Sequence, residues 1–129
     1  MRRKLICGRG GVDILIELRR SEEKPERLDI FRDIYCLDSC GLGEKANSMV
    51  YTRAWGWRAA AGIYVLNHSL KMVDRNAVVK VYTNSKGVFT VLGYRNAQNI
   101  PANFDFADYA TALFKTLKGR KVTVLPLFS

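Results

Sequence analysis

The chain has 129 residues, 48% of them hydrophobic and 26% charged, so we expect one globular domain over residues 1–129 with a sizeable core. No apolar run approaches the ~18 residues of a membrane span, and the apolar stretch after the basic N-terminus is too short for a secretory signal, which predicts a cytoplasmic protein without membrane contact. The 21 lysines and arginines exceed the 12 aspartates and glutamates, and a net charge of +9 favours a polyanionic partner, most commonly nucleic acid.

The N-terminal part of the sequence predicts three short strands. The first is the apolar run 5–7, which ends at the glycine-rich segment 8–11, a composition typical of a hairpin turn. The second, 12–20, and the third, 28–37, both alternate apolar and polar residues, which is the period of a half-buried strand. The polar segment around Pro25 separates them. Strands with such short connections favour an antiparallel meander.

A long helix is the next predicted element. Residues 38–45 contain two glycines and indicate a loop, and residues from about 47 to 71 have helical spacing. Three consecutive alanines at 59–61 favour this helix. Its apolar stripe consists of Trp55, Ala59, Gly62, Ile63, Leu66 and Leu70.

The C-terminal part predicts two further strands and a second helix. The β-branched run 77–83 predicts a strand, whereas residues 88–92 fit either a short helix or an extended segment. A helix is expected at 104–117 with Asn103 as its cap, and a final strand at 121–127. The order is β-β-β-α-β-α-β. A strand that follows a helix can pair parallel to an earlier strand by a right-handed crossover, so this order predicts an α/β sheet with an antiparallel flank.

The three cysteines and the single histidine are candidate metal ligands. Cys7, Cys36, Cys40 and His68 could supply four tetrahedral zinc ligands, but their spacing is poor for such a site. The odd number of cysteines argues against a disulfide framework. We therefore expect buried cysteines that act as small apolar residues, and no cofactor.

The element order resembles the ribonuclease H-like fold, and four local segments are similar to that family. Val81-Tyr82-Thr83-Asn84-Ser85-Lys86-Gly87-Val88 resembles a fourth strand that ends in the family's Thr-Asp-Ser signature. Arg58-Ala59-Ala60-Ala61-Gly62-Ile63 looks like the alanine-rich first helix. Asn103-Phe104-Asp105-Phe106 is similar to a helix start, and Val122-Thr123-Val124-Leu125 to the fifth strand. The resemblance implies a mixed five-stranded sheet, three antiparallel strands followed by two parallel ones, with helices packed on it.

The same resemblance implies that the nuclease chemistry is absent. Active members of the family hold two divalent metals on about four carboxylates. The resemblance places the first acid near residues 7–9, the second near Gly56 or Trp57 and the third at Asn84, and none of these is acidic. It places the fourth in a helix after the fifth strand, beyond Ser129. We therefore expect no catalytic residues and no metal ligands.

Basic and aromatic residues predict a nucleic-acid interface. Trp57 lies ~200° around the helix from Trp55 at ~100° per residue, an exposed position from which it can stack on a base. Asn84 lies at the position of the family's signature acid. The resemblance places five cations on the face where the family holds its duplex: Arg9, Arg53, Arg58, Lys86 and Arg95. The leading hypothesis is a non-catalytic ribonuclease H-like domain that binds RNA, DNA, a hybrid or a nucleoprotein.

Two alternatives stay open. One is a protein-interaction or assembly domain, either a homo-oligomer or a subunit of a complex, in which the third predicted strand is a free edge and an exposed tryptophan an anchor. The other is a metal-dependent nuclease with a rearranged site. That site would use one of two acidic pairs, Asp13 with Glu17 or Asp105 with Asp108.

Overall fold

The protein, in a computed structural model that describes residues 5–7 and 10–127, is a five-stranded mixed sheet with three α-helices. The strands are β1 (Gly11–Arg20), β2 (Arg27–Leu37), β3 (Gly43–Ala54), β4 (Val78–Thr83) and β5 (Lys121–Pro126). The helices are α1 (Arg58–Leu70), α2 (Lys86–Gly93) and α3 (Ala107–Leu117), with short 3-10 turns at Trp55–Trp57 and Ala97–Asn99. Among the described residues, no helix is long and apolar enough to cross a membrane.

The strand order is β3-β2-β1-β4-β5. β1, β2 and β3 pair antiparallel, β4 lies parallel to β1, and β5 lies parallel to β4. The chain reaches β4 through α1 and β5 through α2 and α3, which are the helical crossovers that parallel pairs need. The predicted fold class, three antiparallel strands followed by two parallel ones, is confirmed.

The sheet buries one face under the helices. Along β1, Val12, Ile14 and Ile16 are fully buried, while the residues between them point to the other face. The buried cluster also contains Ile63 of α1 and Leu113 of α3, so the helices share one core with the sheet. Every hydrophobic residue that is fully buried in the described part of the chain is aliphatic or a cysteine, and none is aromatic.

Two glycines bring α2 close to α1. A β-carbon on Gly87 would lie 2.8 Å from the backbone oxygen of Ala59, and one on Gly62 would lie 2.1 Å from Ser85 Oγ. Ser85 caps α2, because its Oγ accepts a hydrogen bond from the backbone N–H of Val88 at 3.2 Å. The first turns of α1 and α2 are thereby held against each other at the ends of β1 and β4.

One charged side chain lies in the interior. Arg32 of β2 is 1% exposed, its Nη2 donates to the Asn47 side chain, and its Nη1 contacts Met72 Sδ at 3.0 Å. Its Nε has no partner among the described residues. Burial lowers the pKa of Arg32, because loss of water disfavours the charged guanidinium. A buried charge without a carboxylate partner costs stability.

The predicted first strand is wrong. Residues 5–7 form a bend rather than a strand, so the predicted second and third strands are β1 and β2 of the sheet. A run of three apolar residues was too short to distinguish a strand from a segment that packs under the sheet. The backbone N–H of Ile6 donates to the Met72 carbonyl just after α1 at 2.9 Å, and Cys7 is joined by a disulfide to Cys36 of β2, so the segment is held without pairing as a strand.

The third antiparallel strand lies where the sequence predicted a loop and the start of a helix. β3 covers Gly43–Ala54, and the helix begins only at Arg58. The half-buried residues of this region are Asn47, Tyr51 and Trp55, which are four apart. A spacing of four fits both one turn of helix and two repeats of a strand, so the apolar pattern could not separate the two. The undecided segment 88–92 lies within α2.

Two smaller predictions are also wrong. Cys7 and Cys36 form a disulfide, although the odd cysteine count argued against one, and Cys40 is exposed and free. Helix α3 begins three residues later than predicted and has no side-chain cap, so Asn103 does not cap it. Aromatic packing of residues 104–106 replaces the expected first turn, with the Phe104 and Phe106 ring centroids 6.4 Å apart.

Candidate nucleic-acid interface

A cleft of about 850 Å³ lies where β1 and β4 end, and we call it the main cleft. Leu18 and Asn84, from the ends of these two strands, form part of its lining. The first turns of α1 and α2 supply Arg58 and Lys86. Its other lining residues include Leu28, Trp55, Gly56, Ala59, Gly87, Thr90, Tyr94, Pro101, Asn103, Phe104, Asp105 and Phe106.

Asn84 links the two strands at the cleft. Its Oδ1 accepts a hydrogen bond from the backbone N–H of Leu18 at 2.8 Å, and its Nδ2 donates to the Leu18 carbonyl at 2.9 Å. These bonds continue the parallel pairing of β1 and β4, which ends at Ile16 and Thr83. The two bonds require an amide, since an ionised carboxylate has no donor. Asn84 therefore has a structural role at this position.

The position of the family's first acid needs correction. The sequence placed it near residues 7–9, because residues 5–7 were taken as the first strand. In the structure the β1 residue beside Asn84 is Leu18, which lines the main cleft. The residue of the first strand that lies beside Asn84 is thus apolar. Arg9 lies outside the described residues.

Two cations face the main cleft. Arg58 donates to the Trp55 carbonyl at 3.3 Å, and its guanidinium lies 5.2 Å from the Trp55 ring centroid. Lys86 is the first residue of α2, where the partial positive charge of the helix adds to its own. The two ion pairs found among the described residues, Arg19 with Glu17 and Lys45 with Asp33, involve neither cation. The charges of Arg58 and Lys86 are therefore available to an anion.

The cleft does not fit a two-metal carboxylate centre. Asp105 is the one carboxylate among its described lining residues. The Asn84 amide oxygen already accepts a hydrogen bond from Leu18, and Arg58 and Lys86 add positive charge. Hard divalent cations need several oxygen ligands of net negative charge. In the part of the chain that the structure describes, no group of three His, Cys, Asp or Glu side chains could hold a metal.

The two acidic pairs considered for a rearranged site lie in different parts of the molecule. Asp13 and Glu17 are on the face of β1 opposite the helices, and Glu17 accepts a hydrogen bond from Arg19 at 2.7 Å. This bond raises the pKa of Arg19. Asp105 lines the main cleft, and Asp108 is in the first turn of α3. Neither pair belongs to a larger ligand group among residues 5–7 and 10–127.

Charge is distributed unevenly between the two faces of the sheet. The acids of β1 and β2 all lie on the face opposite the helices: Asp13, Glu17, Asp29 and Asp33. The helical layer, residues 55–77 and 84–120, has eight cations: Arg58, Lys71, Arg75, Lys86, Arg95, Lys115, Lys118 and Arg120. It has three acids: Asp74, Asp105 and Asp108. The excess positive charge is therefore on the side that carries the clefts.

A second, aromatic cleft adjoins α1. It has a volume of about 350 Å³. Arg53, from the end of β3, and Trp57, which is 52% exposed, both line it. Its other lining residues are Ile30, Tyr51, Ala60, Ala61, Tyr64, Val65 and Tyr109. The predicted exposure of Trp57 is confirmed.

The predicted interface residues thus fall into separate groups. Arg58, Asn84 and Lys86 line the main cleft, and Arg53 and Trp57 line the aromatic cleft. Arg95 lines neither. It follows α2 at a positive φ of 73°, next to Tyr94 of the main cleft.

Sequence reasoning singled out Trp57 but missed the continuous line of aromatic side chains that connects the two clefts. Six rings form it, in ring-to-ring contact at centroid distances of 5.8–6.5 Å: Tyr94, Phe104, Phe106, Trp57, Tyr109 and Tyr64. We call this line the aromatic ridge. None of the six is fully buried, and Trp57, Tyr64 and Tyr109 are exposed. The signal in the sequence was the dense aromatic run at 104–109.

Comparison with known proteins places the fold. Neither a family model nor a curated protein matches the sequence. The solution structure of the RNase H domain of prototype foamy virus matches 90% of this chain and 76% of that domain, at a TM-score of 0.57 and 10% identity. A foamy viral protease-reverse transcriptase in complex with dsDNA matches 90% of this chain and 79% of its own, at a TM-score of 0.61 and 11% identity.

A third structure is the foamy viral protease-reverse transcriptase in complex with an RNA/DNA hybrid. It matches 90% of this chain but 17% of its own, at a TM-score of 0.52 and 11% identity. The strand order and these likenesses agree. The chain has an RNase H-like fold.

Proposed function

We propose that this protein is a non-catalytic RNase H-like domain that binds nucleic acid through the main cleft. The observation that carries the proposal is the composition of that cleft: Arg58 and Lys86 project from two adjacent helix starts, and neither is in an ion pair with a described residue. Cations arranged in this way hold phosphates and release counterions from the nucleic acid. The net charge of +9 supports the same partner.

The structural neighbours add support of a general kind. Foamy viral proteins with this fold were solved with an RNA/DNA hybrid and with dsDNA. A duplex presents rows of phosphates, which suit a cleft with cations on adjacent helix starts. We therefore expect RNA, DNA or hybrid duplexes to be ligands of the main cleft.

The donor chemistry of the cleft supports the absence of catalysis. The resemblance implies that an active site needs a carboxylate on the first strand and another after the fourth, and here the two residues that meet at the ends of β1 and β4 are Leu18 and Asn84. Asp105 alone would supply too few carboxylate oxygens to hold two metal ions. Incubation with hybrid and duplex substrates in Mg²⁺ or Mn²⁺ should give no cleavage. Hydrolysis that disappears in Asp105→Asn would overturn the non-catalytic assignment.

Binding is tested by a salt series. Fluorescence anisotropy with labelled dsRNA, DNA duplex and hybrid should show affinity that falls steeply as salt rises. The double variant Arg58→Gln/Lys86→Gln should bind more weakly to all three duplexes. Its slope of log K against log salt should drop by about 0.9 for each B-DNA phosphate that the variant no longer neutralises.

A charge-matched control separates the cleft from general basicity. Lys80→Gln/Lys121→Gln removes two charges from the sheet face opposite the helices. We expect this variant to retain most of the wild-type affinity. Equal weakening in the two double variants would show that net charge, and not the main cleft, determines binding. No binding of any duplex at low salt would refute the proposal.

One observation favours a protein partner as a second candidate function. Within residues 5–7 and 10–127, β3 pairs on one side only, with β2, so no described strand covers the other edge of its 12 residues. Met49 and Val50 on this strand are exposed. The sequence had placed the free edge at 28–37, which is the interior strand β2. Light scattering tests self-assembly through β3: dimers that Val50→Lys dissociates would support it, and a monomer at all concentrations would exclude it.

A further inference from the structure

The aromatic ridge lies outside the fully buried core, and of its six rings Phe104 packs against that core. Aromatic residues usually supply much of a core, because each buries a large area. Here the fully buried hydrophobic residues in the described part of the chain are aliphatic or cysteine, whereas three of the ridge rings are half-buried and three are exposed. Three of them, Trp57, Tyr64 and Tyr109, are among the exposed large hydrophobic residues. An exposed, continuous apolar line of this kind indicates a binding surface.

The ridge is continuous from one cleft to the other. Tyr94, Phe104 and Phe106 line the main cleft, and Phe106 contacts both Trp57 at 6.0 Å and Tyr109 at 6.5 Å between ring centroids. Trp57 and Tyr109 in turn line the aromatic cleft. A ligand on the ridge would therefore be an extended one that reaches from the first cleft into the second.

Cations border both ends of the ridge. Arg58 and Lys86 lie in the main cleft, and Arg53 lies in the aromatic cleft. Two carboxylates, Asp105 and Asp108, are exposed on the segment that carries the ridge. Because they repel phosphates, we expect the backbone of a bound nucleic acid to lie on the side of the ridge that faces the cations and not on the side of α3. Aromatic platforms beside a positively charged groove bind single-stranded nucleic acid, since bases stack on the rings and the backbone follows the charge.

We propose that the aromatic ridge binds the unpaired bases of a single-stranded nucleic acid by stacking. The proposal rests on the proposed function, because the cations of the main cleft hold the backbone of the same ligand. It goes further in naming the ligand class, a single strand or the unpaired arm of a duplex. Stacking tolerates any base, so the ridge has little sequence preference.

The decisive experiment compares probes with and without bases. One probe is oligothymidine of about 12 nucleotides, within the site sizes known for single-strand-binding folds. The other is an abasic phosphodiester chain of the same length and charge. We expect the wild-type protein to bind oligothymidine more tightly than the abasic chain. We also expect binding to quench tryptophan fluorescence, a measurement that needs no variant.

Variants then assign the preference to the ridge. Trp57→Ala should bind oligothymidine about 5- to 150-fold more weakly, the range that stacking of one base on a ring confers. Affinity for the abasic chain should not change. Trp57→Phe keeps a ring and should stay close to wild type. Tyr82→Ala, on the opposite face of the sheet, is the matched control, and circular dichroism verifies that each variant is folded.

The outcomes separate this inference from the proposed function. Equal binding of oligothymidine and the abasic chain would overturn stacking and leave the main cleft as a phosphate site. Binding of duplexes without binding of oligothymidine would also overturn it. Failure of every nucleic-acid probe, duplexes included, would refute the proposed function and the ridge with it, and would point to a protein ligand.

Discussion

Replacement of Asn84 by aspartate tests whether the amide is structural. This change introduces an acid at the position where the sequence resemblance places the signature aspartate of the RNase H family. In the structure, Asn84 Oδ1 accepts from the Leu18 N–H at 2.8 Å and Nδ2 donates to the Leu18 carbonyl at 2.9 Å. A carboxylate preserves the first bond. It removes the second and turns an oxygen toward the Leu18 carbonyl oxygen, so we expect Asn84→Asp to destabilise the fold.

The magnitude follows from these two bonds. A hydrogen bond contributes about 0.5–1.5 kcal/mol, and a buried acceptor left without a donor costs about 1–3 kcal/mol. Asn84 is half-buried, so a loss of about 2 kcal/mol is expected. For a domain of 129 residues this lowers the melting temperature by roughly 7 °C. Asn103→Asp, at an exposed position of the same cleft, should change stability by less than about 0.5 kcal/mol.

The deficit should depend on pH. A protonated carboxyl can donate to the Leu18 carbonyl, so the fold favours the neutral form and raises the pKa of the introduced group above its unfolded value of about 3.9. The loss of unfolding free energy relative to wild type is then complete well above the pKa of this carboxyl in the folded state, and it shrinks as the pH falls through that pKa. Urea denaturation of variant and wild type across about pH 3–7 measures the difference. Equal stability at neutral pH, or a deficit that does not change with pH, would refute the reasoning.

Other predictions concern packing and cross-links. Gly87→Ala should lower the free energy of unfolding by about 1–3 kcal/mol, since its β-carbon overlaps α1, whereas Gly93→Ala, with open space around it, should leave the melting temperature unchanged or raise it. Reduction of the Cys7–Cys36 disulfide, which links residues 29 apart, should lower the free energy of unfolding by about 3–4 kcal/mol in calorimetry. Arg32→Met should raise the free energy of unfolding by about 1 kcal/mol, because it replaces a buried charge with an apolar side chain. A decrease would mean that the buried guanidinium stabilises the core.

The alternation of apolar and polar residues predicted the strands that have one buried and one more exposed face. β1 and β2 alternate buried and exposed residues along most of their length, and both were predicted within a residue of their bounds. β3 is an edge strand with exposed residues on both sides, so its sequence carried almost no alternation. Local pattern cannot locate such a strand, because its stability comes from backbone pairing with β2 and not from side-chain burial.

The candidate site was predicted in part. The resemblance placed Arg58 and Lys86 on one face, and the structure brings both to the main cleft beside Asn84, whereas Arg53 and Trp57 line the aromatic cleft. The ridge depends on α3 packing beside α1, a tertiary contact between residues about 50 apart that no local period encodes. Asn103 drew the prediction toward a helix start, whereas Phe104 and Phe106, the two phenylalanines that follow it, line the cleft.

The position of β1 in the sheet has a consequence for synthesis of the chain. Among the described strands β1 comes earliest in the sequence, yet it lies at the centre of the sheet, and its second neighbour β4 begins only at Val78. A nascent chain that ends after β3 thus contains the antiparallel strands β1, β2 and β3, and one edge of β1 has no partner. Such an unpaired edge pairs readily with other chains. We expect fragments that end before β4 to aggregate, because only β4 covers the second edge of β1.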